Sequence, residues 1–123
     1  MKKQELVIKG TTYVPKGSEK LTKAPSLKGK EYCIIRTYSA GVFAGFYNRK
    51  IKGKEGTIYN SRRIWSWQGA ASLSQMANEG VKKPDECKFA QVVSEVDLKE
   101  IIEVIPCSKK AKEIIEGVSV WEM

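Results

Sequence analysis

Three runs rich in β-branched and aromatic residues follow one another with only short breaks: 32–38 (YCIIRTY), 42–47 (VFAGFY) and 57–67 (TIYNSRRIWSW). Each has the composition of a strand that packs on a half-buried pleated surface. Ser39-Ala40-Gly41 supplies a tight first connection, and 48–56, with three lysines, one arginine and two glycines, an exposed second one. Consecutive strands joined this way predict an antiparallel meander. Downstream, Ser72-Leu73-Ser74-Gln75 has a capping-box arrangement, with Gly80 as a stop, so a short helix is expected over 73–79. The stretch 98–105 reads as one further strand ended by Pro106, with 89–93 a brief extended piece before it. Ser108 is placed to cap a second helix running through Ile115 to Gly117, and 118–121 reads as a final strand. The expected fold class is α+β: a mainly antiparallel sheet, a meander, with two short helices in a small single domain.

Domain organisation follows from how charge is distributed. Residues 1–30 carry eight lysines against Glu5 and Glu19, and 31–54 add a net of +4, whereas 55–123 has a net of −2. Long-range attraction of anions therefore belongs to the first half, although a lysine surplus also serves plain solubility. Within the first thirty residues, 6–8 and 11–14 read as an edge strand or small hairpin. The proline-, glycine- and lysine-rich 15–30 reads as a linker. The expected division is a basic N-terminal arm over 1–30 and a globular domain over 31–123. No apolar run approaches the ~18 residues needed to span a bilayer, so no membrane association is expected. Leu6-Val7-Ile8 is too short for the apolar region of an export signal. With an odd number of cysteines this points to reduced thiols in a cytoplasm.

The chemistry-bearing residues cluster in the third strand. Strict alternation would place Ile58, Asn60, Arg62 and Ile64 on one face and Tyr59, Ser61, Arg63, Trp65 and Trp67 on the other. Arginine presents a fixed fork of donors that matches phosphate oxygens, and indole a flat face on which a base can stack. Arg63, Trp65, Trp67 and Tyr59 would thus form a nucleotide platform if that face is open. The alternative is that the tryptophans anchor a core or an oligomer interface, with Arg63 packed across an indole. Arg62 shares its face with isoleucines and needs an acidic partner or an anionic ligand, Glu100 or Glu103 being the expected carboxylates. Arg36 sits in a similar setting beside Tyr38. Ser39 opens a small-residue turn whose backbone N–H groups could meet a phosphate, or which merely needs small residues for its path.

Little points to catalysis. The chain has no histidine, which removes the commonest general base and metal ligand together. Cys33, Cys87 and Cys107 lack metal-ligand spacing, and Cys33 lies within an apolar strand suited to inert packing. The expectation is a non-enzymatic protein with no cofactor and no metal.

The segments RTYSAGV (36–42) and SRRIWSWQGA (61–70), followed by Ser72-Leu73, Ala77, Gly80-Val81 and Pro84, resemble a family of small phage and prophage proteins known only as a domain of unknown function. The resemblance covers about 32–121 and leaves the lysine-rich first thirty residues outside. It implies a phage-encoded protein acting in a bacterial host cytoplasm, with no catalytic residues to carry over. By analogy with small oligomeric phage proteins that sequester nucleotide immune signals, the expected function is a homo-oligomeric sponge for an anionic nucleotide-like ligand. Arg36, Tyr38, Ser39, Arg62, Arg63, Trp65 and Trp67 are its candidate contacts. Two other readings remain: a nucleic-acid-binding accessory protein using the lysine-rich half, and a structural or inhibitory module whose tryptophans form a protein interface.

Overall fold

The computed structural model describes residues 6–8, 11–13 and 23–122. Strands β1 (Leu6–Ile8) and β2 (Thr11–Tyr13) pair antiparallel as a small hairpin. The first half of the linker expected over 15–30 lies outside the described residues. Its last part packs on the domain: Ala24 is buried in the main core and its N–H donates to the Cys107 carbonyl at 3.2 Å.

The expected meander is present as β3 (Glu31–Thr37), β4 (Val42–Tyr47) and β5 (Gly56–Ser66). It is followed by α1 (Leu73–Glu79), a 3₁₀ turn at Pro84–Glu86, β6 (Lys88–Phe89), β7 (Val93–Leu98), β8 (Ile101–Pro106) and α2 (Lys109–Gly117). All six strands from β3 onward form one antiparallel sheet, giving the α+β domain expected from the pattern. Both helix caps are as read: the Ser72 hydroxyl accepts from the Gln75 N–H at 3.1 Å, and the Ser108 hydroxyl from the Ala111 N–H at 3.0 Å.

Two expectations are corrected. The strand expected over 98–105 is divided: only Leu98 falls in it from a separate, unexpected strand, β7, and the rest begins at Ile101 as β8, because Glu100 takes a left-handed conformation (φ 52°) and turns the chain. The expected last strand over 118–121 is reduced to one parallel bridge between Val120 and Phe89.

The turn at 99–100 shapes the whole domain. β7 pairs with β5, and β8 pairs with β3, so they stand at opposite ends of the order β7-β5-β4-β3-β8. Flat, those strands would lie about 19 Å apart across four inter-strand gaps. The three Cα–Cα steps from Leu98 to Ile101 reach only about 11 Å. The sheet must therefore curl until its edges approach, as in a partly closed barrel. This explains why β3 is buried on both faces. Cys33 and Ile35 join Phe43, Tyr47, Ile58 and Leu98 inside the curl, while Tyr32 and Ile34 join the larger core beneath the helices. β5 bends at a bulge where Asn60 adopts φ 48° and Ala44 and Phe46 lose register. Gly45 sits opposite, and a Cβ there would lie 2.7 Å from the Tyr59 carbonyl oxygen, so only glycine lets the bent strand approach.

Arg62 closes the helical side. It is 2% exposed and has no carboxylate partner among the described residues. Instead Nε donates to the Ala90 carbonyl at 2.8 Å, Nη1 to those of Ile115 and Val118 at 3.0 and 2.8 Å, and Nη2 to that of Phe89 at 3.4 Å. Glu103 pairs with Arg36 and Glu100 with Ser39, which corrects the expected pairing. A cation beside the last carbonyls of α2 also complements the helix dipole. Burial draws the Arg62 pKa below its ordinary value, with Tyr32 opposing the shift, and arginine's high intrinsic pKa keeps the charge.

Arg62→Ala should accordingly cost about 3 kcal/mol or more, since the Ala90 and Val118 carbonyls lose their donor and those of Phe89 and Ile115 lose one of two. A thermal melt should show the midpoint falling by roughly 10 °C or more. A melt within a degree or two of the parent would mean the carbonyls find other donors.

Candidate functional site

The bulge at Asn60 changes what the third strand presents. One extra residue shifts the later side chains to the other face, so strict alternation fails across it. Tyr59 and Trp67 both pack against the core under the helices, and Trp67 Nε1 donates to the Ala70 carbonyl at 3.2 Å. Arg63 lies instead over Phe43 (4.7 Å) and Trp65 (5.5 Å), with Phe43 belonging to the interior of the curl. The four-residue platform of Tyr59, Arg63, Trp65 and Trp67 is thus divided between the two sides of the sheet. Arg62 is spent on backbone carbonyls. What remains of that reading is Arg63 held flat beside Trp65, whose indole is 57% exposed.

The residues of the β3–β4 hairpin fare differently. Thr37 pins it, its hydroxyl donating to the Gly41 carbonyl at 2.8 Å and accepting from the Ala40 N–H at 3.0 Å. Arg36 Nε donates to Glu103 at 3.1 Å across β3 and β8. The Ser39 hydroxyl donates to Glu100 Oε1 at 2.9 Å, and the Tyr38 N–H to the Glu100 carbonyl at 3.0 Å. Ser39 therefore fastens the hairpin to the β7–β8 turn, and Tyr38 is left 77% exposed beside that turn.

Here the curl produces concavity. Tyr38, Lys54, Glu100, Ile101 and Ile102 line an open groove of about 570 Å³. A neighbouring depression of about 250 Å³ shares Ile101 and Ile102 and adds Tyr47, Arg49, Ile51, Lys52 and Gly53. Both lie where the β4–β5 loop, 48–55, meets the start of β8, and the Ile101 N–H donates to the Lys54 carbonyl at 2.8 Å to hold them together. Arg49 is fixed by Glu31, whose carboxyl is held below its ordinary value by Lys23 first and then by Arg49, against the effect of burial. Lys50, Lys52 and Lys54 form no ion pair among the described residues. The site is a trough with aliphatic walls, one exposed phenol and a basic loop.

Of the candidates read from sequence, only Tyr38 lines this trough, with Ser39 acting through Glu100. Lys52, Lys54, Ile101 and Ile102 were not singled out. The Lys52-Gly53-Lys54 run by itself reads as a solvated loop. Nothing local reveals that β8, remote in sequence, would lie beside it.

The cysteines lie away from the trough. Cys33, Cys87 and Cys107 are buried and unbridged. Burial pushes the Cys33 and Cys107 thiols up to about 12, so the reactive thiolate is scarce at neutral pH. Among the described residues no group of histidine, cysteine and carboxylate side chains is placed to hold a metal, and no helix is long and apolar enough to cross a membrane.

The chain belongs to the DUF6948 family, a domain of unknown function, whose sequence profile matches residues 30–115. No curated protein and no solved structure matches it.

The buried thiols set a pH dependence. Their folded pKa lies above the ordinary 9.0, and burial also raises Tyr32 above its ordinary 10.0. The unfolded chain therefore loses these protons first, so stability is full below about pH 9 and falls as pH rises toward 12. Urea midpoints at pH 7.5 and 10.5 should show a clear drop, reduced in Cys33→Ala, and a thiol reagent at pH 8 should leave Cys33 and Cys107 unmodified until denaturant is added. Rapid labelling of either thiol in the native protein would contradict the burial on which this rests.

Proposed function

We propose that this member of a family of unknown function is a non-catalytic binding protein whose trough takes a small nucleotide. The observation that carries the reading is the Tyr38–Lys54 groove: an exposed aromatic face and a cation without an ion pair among the described residues, lining one concavity with aliphatic walls. A volume of about 570 Å³ is in the range of small-molecule sites. A base stacks on the phenol and against Ile101 and Ile102, while Lys54 and Lys52 meet the phosphates as charge-assisted donors. The net surplus of +8, concentrated before residue 55, supports attraction of anions over a distance.

This reading keeps the anionic nucleotide expected from the sequence and moves the site. Tyr38 stays, Ser39 becomes a support, and Lys52 and Lys54 replace Arg62 and Trp67. The broader role, that of a phage-encoded, homo-oligomeric sponge for a host immune nucleotide in a bacterial cytoplasm, rests on the resemblance of 36–42 and 61–70 to phage proteins. The exposed indole of Trp65 offers a surface for self-association.

Titration calorimetry with mononucleotides and cyclic dinucleotides tests the site. Tyr38→Ala should weaken binding about five- to hundredfold through lost stacking, and Lys52→Ala with Lys54→Ala about tenfold or more, both with unchanged melting temperature. Binding that grows with oligonucleotide length and collapses with moderate salt, without preference for any nucleotide, would replace this reading with the nucleic-acid one. Light scattering at micromolar concentration should give more than one chain per particle; a monomer mass would remove the oligomeric part of the proposal.

A further inference from the structure

Resting on the nucleotide reading of the trough, we infer that Glu100 makes the site selective for guanine. Glu100 is the carboxylate that lines the groove with Tyr38 and Lys54, an unexpected charge in a pocket for anions unless it faces the base and not the phosphates. Its placement is fixed twice. Its carbonyl accepts from the Tyr38 N–H at 3.0 Å, and its Oε1 accepts from the Ser39 hydroxyl at 2.9 Å. The backbone that carries the exposed phenol and the carboxylate are thus held side by side, which lets a base stacked on Tyr38 present its edge to Glu100.

The backbone adds a second indication. Glu100 adopts φ 52° in a two-residue turn, a conformation that glycine or asparagine takes with less strain. The turn sets the side chain where it both accepts from Ser39 and lines the groove. The Ser39 bond occupies one lone pair, and a carboxylate has about four acceptor positions across its two oxygens. The remainder suit two parallel donors. Guanine carries such a pair on its Watson–Crick edge, N1–H and N2–H. Adenine and cytosine each set a lone pair beside their amino group, which the carboxylate repels. Hypoxanthine keeps N1–H and lacks the second donor, so it should rank between guanine and adenine.

The test is calorimetric titration of the full chain with GMP, IMP and AMP. The expected order is GMP, then IMP, then AMP, with GMP favoured over AMP by about tenfold or more. Glu100→Gln should bring GMP and AMP to within about threefold, mainly by weakening GMP, while Tyr38→Ala weakens all three. A merely structural role, tying the hairpin to the turn, would lower the melting temperature and weaken all three nucleotides alike. If the parent binds GMP and AMP equally and Tyr38→Ala weakens both, the trough is a nucleotide site and the guanine assignment is overturned. A guanine preference that survives in Glu100→Gln overturns it as well. If none of the three binds at millimolar concentration, the nucleotide reading fails and this inference with it.

Discussion

A single guanidinium holds the helical side of this domain together. Arg62 reaches from the middle of the longest strand to four backbone carbonyls, those of Phe89 and Ala90 at the end of β6 and of Ile115 and Val118 at the end of α2. The carbonyls of Ala90 and Val118 lie just past the end of a regular element and would be costly to bury unpaired, while those of Phe89 and Ile115 also accept from the Trp121 and Val118 N–H groups. One side chain with five donors supplies several at once. The Phe89 ring, 5.3 Å from the guanidinium carbon, covers it. The charge is dissipated over carbonyl dipoles and needs no counter-ion, which frees Glu100 and Glu103 for the other end of the fold.

The second constraint is the two-residue link between β7 and β8. It forces the sheet to curl and gives it two apolar faces, one filled by Phe43, Ile58 and Leu98, the other covered by the helices. The same curl brings the β4–β5 loop against the first residues of β8, with the Lys54 carbonyl bonded to Ile101. A loop whose lysines would otherwise be dispersed in solvent becomes one wall of a trough. The proposed site is therefore a by-product of barrel closure: its aliphatic wall, aromatic face and cations come from three separate connections brought together by the strand order.

The guanidinium and the curl also explain where local reading succeeded. The meander was legible because 32–38 and 42–47 bury side chains on both faces and read as near-continuous apolar runs while 57–67 is rich in β-branched and aromatic residues, and the helices because Ser72 and Ser108 cap them through interactions three residues away. The split of 98–105 escaped because Lys99-Glu100 carries neither glycine nor asparagine, the usual marks of a left-handed turn. The platform of Arg63, Trp65, Trp67 and Tyr59 failed for a related reason. The bulge at Asn60 inverts the facing of Arg62, Arg63 and Ile64, and a second register shift between Ile64 and Ser66, near the strand's end, precedes Trp67, which returns to the core beneath the helices.

What the sequence determined by itself is what short-range physics controls: strand and helix identity, caps, the antiparallel order of neighbours, the inert character of buried cysteines and the excess of positive charge in the first half. Tertiary structure decided which charges meet. Whether Arg62 faces a carboxylate or a row of carbonyls, and whether Lys54 stands alone or beside Tyr38 and Ile102, depends on contacts spanning tens of residues. Such contacts follow from chain closure and packing of the whole domain, to which no local pattern is sensitive.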